Sequence, residues 1–180
     1  MRKVIHKVWW AWDFDKEEAW LNEMAAKGLA LVSVGFCRYE FEDCRPGEYS
    51  VRLQLLKDNV RHPESEKYLS FLEETGAEHI GSWIRWVYLR RKTDEGSFEL
   101  FSDLDSRCRQ LSMIITFILS ISAMNVGIGI YNISLLFLHR LPISALGFFN
   151  LALGILGCIG CRRLSRKRRR LREDAQIFEA

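Results

Sequence analysis

Two long stretches without a charged residue constrain this chain more than any other feature. Leu111–Tyr131 reads LSMIITFILSISAMNVGIGIY, and Ile143–Cys161 is equally free of Asp, Glu, Lys and Arg. A helix rises about 1.5 Å per residue, so about 20 apolar residues cross a hydrocarbon core of about 30 Å. Both runs reach that length. Pro142 stands at the start of the second, where its missing N–H leaves no bond unmade. A buried hairpin in a soluble protein would need enough surrounding chain to cover both helices, and residues 1–92 offer too little. The expectation is a transmembrane helical hairpin over 111–161, with spans 111–131 and 143–161.

The mean hydropathy of −0.08 conceals a sharp division of charge. Residues 1–92 hold 15 basic and 15 acidic side chains, residues 93–110 hold 2 and 5, and residues 111–180 hold 9 and 3. The basic excess therefore belongs to the C-terminal block, whereas a nucleic-acid binder carries its charge on the folded domain. No nucleic-acid partner is expected. Arg162, Arg163, Arg166, Lys167, Arg168, Arg169, Arg170 and Arg172 follow the second run, and Arg107 and Arg109 precede the first. Between the runs only His139 and Arg140 interrupt an apolar loop, Asn132–Leu141. The positive-inside rule then predicts a multi-pass protein of the cell membrane with both termini in the cytoplasm. The basic tail, 162–180, exceeds what topology needs and is expected to attract anionic lipid headgroups, at about 1 kcal/mol per charge. Ile133–Leu138 is apolar enough either to lie in the outer interface or to extend the first helix with tilt.

Within the hairpin, Gly147, Gly154, Gly157 and Gly160 offer small surfaces for close helix approach. Asn125 and Asn150 fall at similar depths, which predicts a hydrogen bond between them within one hairpin or across a homodimer. Each amide bonding its own helix backbone is the competing outcome. The five cysteines form no readable disulfide framework and fit reduced thiols. The apolar run Val8–Trp12 stops at Asp13, too short for the core of a signal peptide.

Residues 1–92 read as strand, helix, strand, strand, helix, strand. Val4–Trp12 is aromatic and β-branched, hence a strand. Asp15 and Glu18 have capping-box spacing. Trp20, Leu21, Met24 and Ala25 then form an apolar face that stops at Gly28. Leu29–Phe41 and Tyr49–Leu56 are two further strands around the turn Arg45-Pro46-Gly47. In the latter, Tyr49, Val51, Leu53 and Leu55 alternate with Ser50, Arg52 and Gln54. The second helix starts at Pro63, turns Tyr68, Leu69 and Leu72 inward and ends at Gly76. Ile80–Arg91 is the last strand. A pseudo-repeat at an offset of 48 pairs Trp20 with Tyr68, Leu21 with Leu69, Met24 with Leu72, Gly28 with Gly76 and Val32 with Ile80. The pattern suggests an α+β class, a ferredoxin-like split βαβ sandwich (βαββαβ) over 1–92. An acidic linker, 93–110, joins it to the hairpin.

Two helices cover one face of such a sheet, and the strands carry large groups on both. Trp9, Trp10, Arg52, Trp83, Arg85, Trp86 and Tyr88 are therefore candidates for a face that meets a partner or ligand. The competing reading places one set in the core and the other against the linker or a second subunit.

The stretches WDFDKEEAWLNEMAAKGLAL, YEFEDCRPGEYSVRLQLL, YLSFLEETGAEHIGSWIRWVYLRR and FELFSDLDSR occur in this order. Together they resemble the bacterial domain of unknown function 2812 family over roughly residues 8–110. The resemblance implies transmembrane helices after the domain. It also implies a regulatory or envelope-stress setting, because genes of the family often stand beside PadR-like transcriptional regulators. It supplies no catalytic residue. Ala77 departs from a Trp common after the glycine, which predicts a less packed edge.

Reactive chemistry is not legible. Asp13, Asp15, Glu17 and Glu18 cluster at a helix start, where carboxylates favour the positive end of the dipole, and capping is the expectation. Cys158 and Cys161 have CxxC spacing without a second pair, which suits packing or palmitoylation better than zinc. His6, His62, His79 and His139 are scattered. No phosphate loop, dinucleotide fingerprint or GxSxG occurs. Neither metal nor cofactor is expected, and an enzyme is not. The reading is a non-enzymatic, membrane-anchored regulatory or sensory protein whose cytoplasmic domain binds a protein partner or an effector through its open sheet face. The alternative is a small accessory subunit of a membrane complex such as a transporter, with the glycine-rich hairpin as its binding element.

Overall fold

The computed structural model describes residues 2–101, 103–139 and 146–178. The chain divides into two compact units, 1–102 and 103–180. The first is α+β and the second is a pair of long apolar helices.

The first unit runs β1 (Arg2–His6), α1 (Phe14–Ala26), β2 (Leu29–Gly35), β3 (Arg38–Asp43), β4 (Tyr49–Leu55), α2 (Pro63–Glu74), β5 (Glu78–Trp83) and β6 (Trp86–Lys92). Two antiparallel sheets result, ordered β1-β3-β2 and β4-β6-β5. The expected single four-stranded sheet is not found among the described residues, for a local reason. Leu29–Phe41 and Ile80–Arg91 each contain a hairpin, because Cys37 and Ile84 take left-handed φ values of 51° and 58°. Nothing in a Cys or a β-branched Ile signals that conformation. The expected first strand is also shorter, with Ala11–Asp13 forming a single 3-10 turn before α1.

The repeat is deeper than the matching helix faces suggest. β1-α1-β2-β3 and β4-α2-β5-β6 are two copies of one βαββ topology, each with its first strand and third strand paired at one side of the sheet. Both sheets carry a register shift at equivalent places, between Leu31 and Ser33 and between His79 and Gly81. Edge strands β2 and β5 lie side by side, where the Arg90 guanidinium donates to the Leu31 carbonyl at 2.8 Å. A Cβ at Gly81 would stand only 3.6 Å from the Val34 nitrogen.

The two central strands are loaded differently. On β3, Tyr39 and Phe41 are buried while Arg38 and Asp43 are exposed. On β6, Trp86, Val87, Tyr88 and Leu89 are all buried, so both faces are covered. Val87 and Leu89 join Leu69 and Leu72 of α2, with Leu56, Ala77 and Phe98 in the same cluster. Ala77 is thus packed, and Phe98 from beyond the last strand helps fill the edge expected to be loose. The segment after β6 stays on the domain, since Glu99 also pairs with Arg52 at 3.4 Å.

Helix boundaries follow local chemistry. His62 precedes Pro63 and its ring accepts from the Glu64 N–H, while Gly28 and Gly76 take positive φ just past the two helix ends. The capping box expected from Asp15 and Glu18 is not formed. α1 begins at Phe14, and Glu18 instead accepts from the Leu53 N–H of β4 at 2.8 Å. Asn22, one turn on, donates to the Val51 carbonyl and accepts from the Val51 N–H, both at 2.9 Å. Spacing of i and i+4 puts the two side chains on one helix face. They occupy backbone groups on the outer edge of β4, which would otherwise be free to pair with another strand.

The second unit pairs α3 (Leu104–His139) with α4 (Leu146–Phe178). Their apolar stretches have mean hydropathy 2.0 and 1.2, and both helices are long and apolar enough to cross a membrane. Residues 132–139 continue α3, so this part of the expected loop extends the helix. Arg140, Pro142 and the start of the second run at Ile143 lie outside the described residues. The seam is made of small residues. A Cβ on Gly147 would stand 2.9 Å from the Gly129 carbonyl, one on Gly154 would stand 3.0 Å from that of Ser122, and one on Gly157 would collide with the Ser122 hydroxyl. Asn125 gives its amide to the Ile121 carbonyl of its own helix at 2.9 Å, the competing outcome for that residue, and Asn150 is half-buried on α4. The basic run 162–172 is helical and continues α4.

Candidate functional site

The seven residues expected on one face fall into separate places. Trp86 and Tyr88 point inward from β6 toward α1, Trp86 packing its ring 5.5 Å from Phe14. Trp9 is half-buried beside Trp20, with ring centroids 6.1 Å apart. Trp10 is exposed and stacks on Trp12 at 5.1 Å. Arg52 sits between Glu18 and Glu99, and Arg85 donates to the Leu56 carbonyl through two nitrogens. Trp83 lies at the β5–β6 turn, 5.1 Å from Phe36 of the β2–β3 turn. The same end of the domain receives the segment after β1, whose Lys7 N–H donates to the Cys37 carbonyl at 3.1 Å. Phe36, Trp83 and Ile84 there are 70%, 41% and 57% exposed. An aromatic tip held by two left-handed turns is thus one exposed apolar feature of the domain, beside the separate Val8, Trp10 and Phe71.

The interior holds a second feature, centred on a residue assigned to helix capping from sequence. Glu17 is only 7% exposed. The hydroxyls of Tyr39, from β3, and Tyr88, from β6, both donate to its Oε1 at 2.6 Å. One tyrosine comes from each sheet, so the carboxyl joins the two repeats. Trp20 stands edge-on to Tyr39 at 5.1 Å, and Phe14, three residues before Glu17 on α1, packs on Trp86. Among the described residues no Lys or Arg forms an ion pair with Glu17. Burial is the larger influence and raises its carboxyl above the ordinary value, against the two hydroxyl donors that lower it. Burial also raises both phenols, which remain donors.

The aromatic wall extends outward from Trp20. Lys7 places its ammonium 4.3 Å from the Trp9 ring centroid and 4.5 Å from that of Trp20, within cation–π range. The Trp9 Nε1 is buried without a hydrogen-bond partner. A sequence signal for Glu17 existed, since it precedes Leu21 by four residues and Met24 by seven, on the buried stripe of α1. Its tyrosine partners come from distant strands and carry no such signal.

Other groupings carry less. Asp58, His62 and Glu64 bring one ligand atom each within 4.8 Å, but the His62 ring already accepts from Glu64 N–H as the cap of α2. On α4, Arg162, Arg166 and Arg169 rim a shallow groove floored by Ile115, Leu119, Cys158 and Cys161. Arg169 also pairs with Glu173 at 2.7 Å, and Arg168 donates to the Ser112 hydroxyl at 2.8 Å. Cys158 is exposed and Cys161 buried, and both are free thiols.

A family model described as a protein of unknown function (DUF2812) matches residues 13–123, more than half of the chain. The match begins just before α1 and runs into α3. No curated protein and no solved structure matches the chain.

Proposed function

Because the chain belongs to the DUF2812 family, whose description assigns no activity, we propose from its own residues that it is a non-enzymatic, membrane-anchored regulatory or sensory protein. In this reading α3 and α4 are the anchor, crossing the cell membrane twice with both termini in the cytoplasm. Basic residues flank the apolar stretches at 107, 109 and 162–172, which supports that orientation. Arg162, Arg163 and Arg166, with the basic residues that follow, meet anionic headgroups. The domain before the anchor recognises a protein partner or an effector.

The observation that carries the reading is the aromatic tip, Phe36 on Trp83 with Ile84 beside them, exposed although the domain has a full core elsewhere. Large exposed aromatics of this kind mark contact surfaces. The accessory-subunit alternative needs the glycines of the hairpin for a foreign helix. Gly129, Gly147, Gly154 and Gly157 are instead taken up by the α3–α4 seam.

The test places a photocrosslinking amino acid at position 83, and separately at the exposed Met124 of α3, in the full chain in its native membrane. A discrete adduct from position 83 is expected. Adducts from Met124 with none from position 83 would overturn the reading in favour of the accessory subunit.

A further inference from the structure

Eight basic side chains follow the uncharged run of α4, and they do not all face the same way. Arg162, Arg166 and Arg169 stand at i, i+4 and i+7 on one face of the helix. They rim the groove floored by Ile115, Leu119, Cys158 and Cys161, and all three are exposed. Like charges at this spacing weaken a helix unless an anion answers them. Among the described residues Arg169 has an acidic partner, Glu173, whereas Arg162 and Arg166 form no ion pair.

The groove has the polarity of an amphiphile. Its apolar half comes from the two uncharged runs, and its basic half begins at Arg162, the first charge after the second run. The Cys161 thiol donates to the Ile115 carbonyl at 3.6 Å, so the two helices meet beneath it. The space amounts to about 570 Å³, inside the range of about 300–1,000 Å³ for small-ligand sites. Where an apolar span ends in arginines, the boundary falls at the level of the lipid headgroups. A guanidinium fork matches phosphate oxygens, and an apolar floor matches an acyl chain. A soluble anion would leave Ile115 and Leu119 uncovered, and an uncharged lipid would leave the arginines unanswered.

We propose that Arg162 and Arg166, with Arg169, hold the phosphate of one anionic phospholipid whose acyl chain lies on Ile115, Leu119 and Cys158. The inference rests on the membrane-anchored reading and places one discrete lipid site within its general headgroup attraction. Arg163 and Arg170, which do not line the groove, add diffuse charge alone. Because the floor comes from both helices, the bound lipid clasps α3 to α4.

The test titrates the full chain in detergent with dioleoyl phosphatidylglycerol or dioleoyl phosphatidylcholine and counts bound lipids by native mass spectrometry. One phosphatidylglycerol is expected to bind the parent chain in preference to phosphatidylcholine. Arg162→Gln with Arg166→Gln should bind it at least about tenfold more weakly, the scale of lost charge-assisted hydrogen bonds. Arg162→Lys with Arg166→Lys keeps the charge without the fork and should fall between. Arg163→Gln with Arg170→Gln should bind like the parent. Both Gln variants remove two of the eight basic residues, so net charge and topology signal are matched. Excess soluble glycerol phosphate should not displace the lipid, because it has no chain to cover Ile115 and Leu119. Displacement would assign the arginines to free phosphate and overturn the lipid site. Equal losses in the two Gln variants would also overturn it, while leaving the general headgroup attraction of the anchor standing. Equal binding of both lipids by the parent would overturn the site and that attraction together.

Discussion

α1 and α2 occupy equivalent places in two copies of one βαββ topology, yet they bury different chemistry. α2 brings Leu69 and Leu72 into a cluster with Val87 and Leu89, and its buried polar group is Ser65. α1 brings Leu21, Met24 and Ala25 inward but sends Glu17 to two tyrosines, Glu18 to a strand N–H and Asn22 to both backbone groups of Val51. The first helix thus touches both sheets through polar side chains, whereas the second meets its own sheet through apolar ones and through the Tyr68 hydroxyl, which donates to Gln54 at 3.0 Å. A duplicated scaffold can hold its fold with the α2 pattern, which leaves the α1 pattern to be explained by the junction it serves.

The widest break of this comparison removes core from each copy. Phe41→Ala and Leu89→Ala delete fully buried side chains of β3 and β6. Losses of about 3–5 and 2–5 kcal/mol are expected. Because Glu17 ties both sheets together, each variant should lower one cooperative urea transition of the full chain, followed by tryptophan fluorescence. Two separated transitions would show that the repeats unfold independently.

Asn22 sharpens the contrast at a smaller scale. Asn22→Ala leaves the Val51 N–H without its partner and its carbonyl with the Arg52 guanidinium alone, and should lose about 1–3 kcal/mol in the same measurement. Its counterpart at the 48-residue offset, Ser70, is exposed, and Ser70→Ala should stay within about 0.5 kcal/mol. Equal losses would show that α2 also guards a strand edge.

Part of this contrast was legible in the sequence. Trp20/Tyr68, Leu21/Leu69 and Gly28/Gly76 announced a repeated helix with its stop, and the apolar runs announced the long helix pair. The full repeat was hidden because β1, RKVIH, is mostly exposed and looks nothing like β4, YSVRLQL. The hairpins were hidden because Cys37 and Ile84 are unexpected left-handed residues. In the site, Trp86 and Tyr88 were picked out as large groups on a strand, but their inward direction depends on α1 packing against the second sheet. Glu17 was grouped with its acidic neighbours at the helix start, because what distinguishes it is the burial that Tyr39 and Tyr88 impose from afar.

The central claim is that Glu17 joins the two repeats as the acceptor of the Tyr39 and Tyr88 hydroxyls while its burial disfavours the charged form. A carboxyl held above its ordinary value of 4.5 stabilises the folded state while protonated. That contribution is fully present below the unfolded value and is lost as pH rises through the folded one. Gln copies the protonated form, keeps an acceptor for Tyr39 and Tyr88 and does not titrate. Thermal melting of Glu17→Gln beside the parent chain, from pH 4.5 to pH 7.5, is therefore the most direct test. The account predicts near-equal midpoints at the acid end and a variant that melts progressively higher toward neutrality. A variant that melts lower at neutral pH would show an ionised Glu17 that stabilises the fold, and would contradict it.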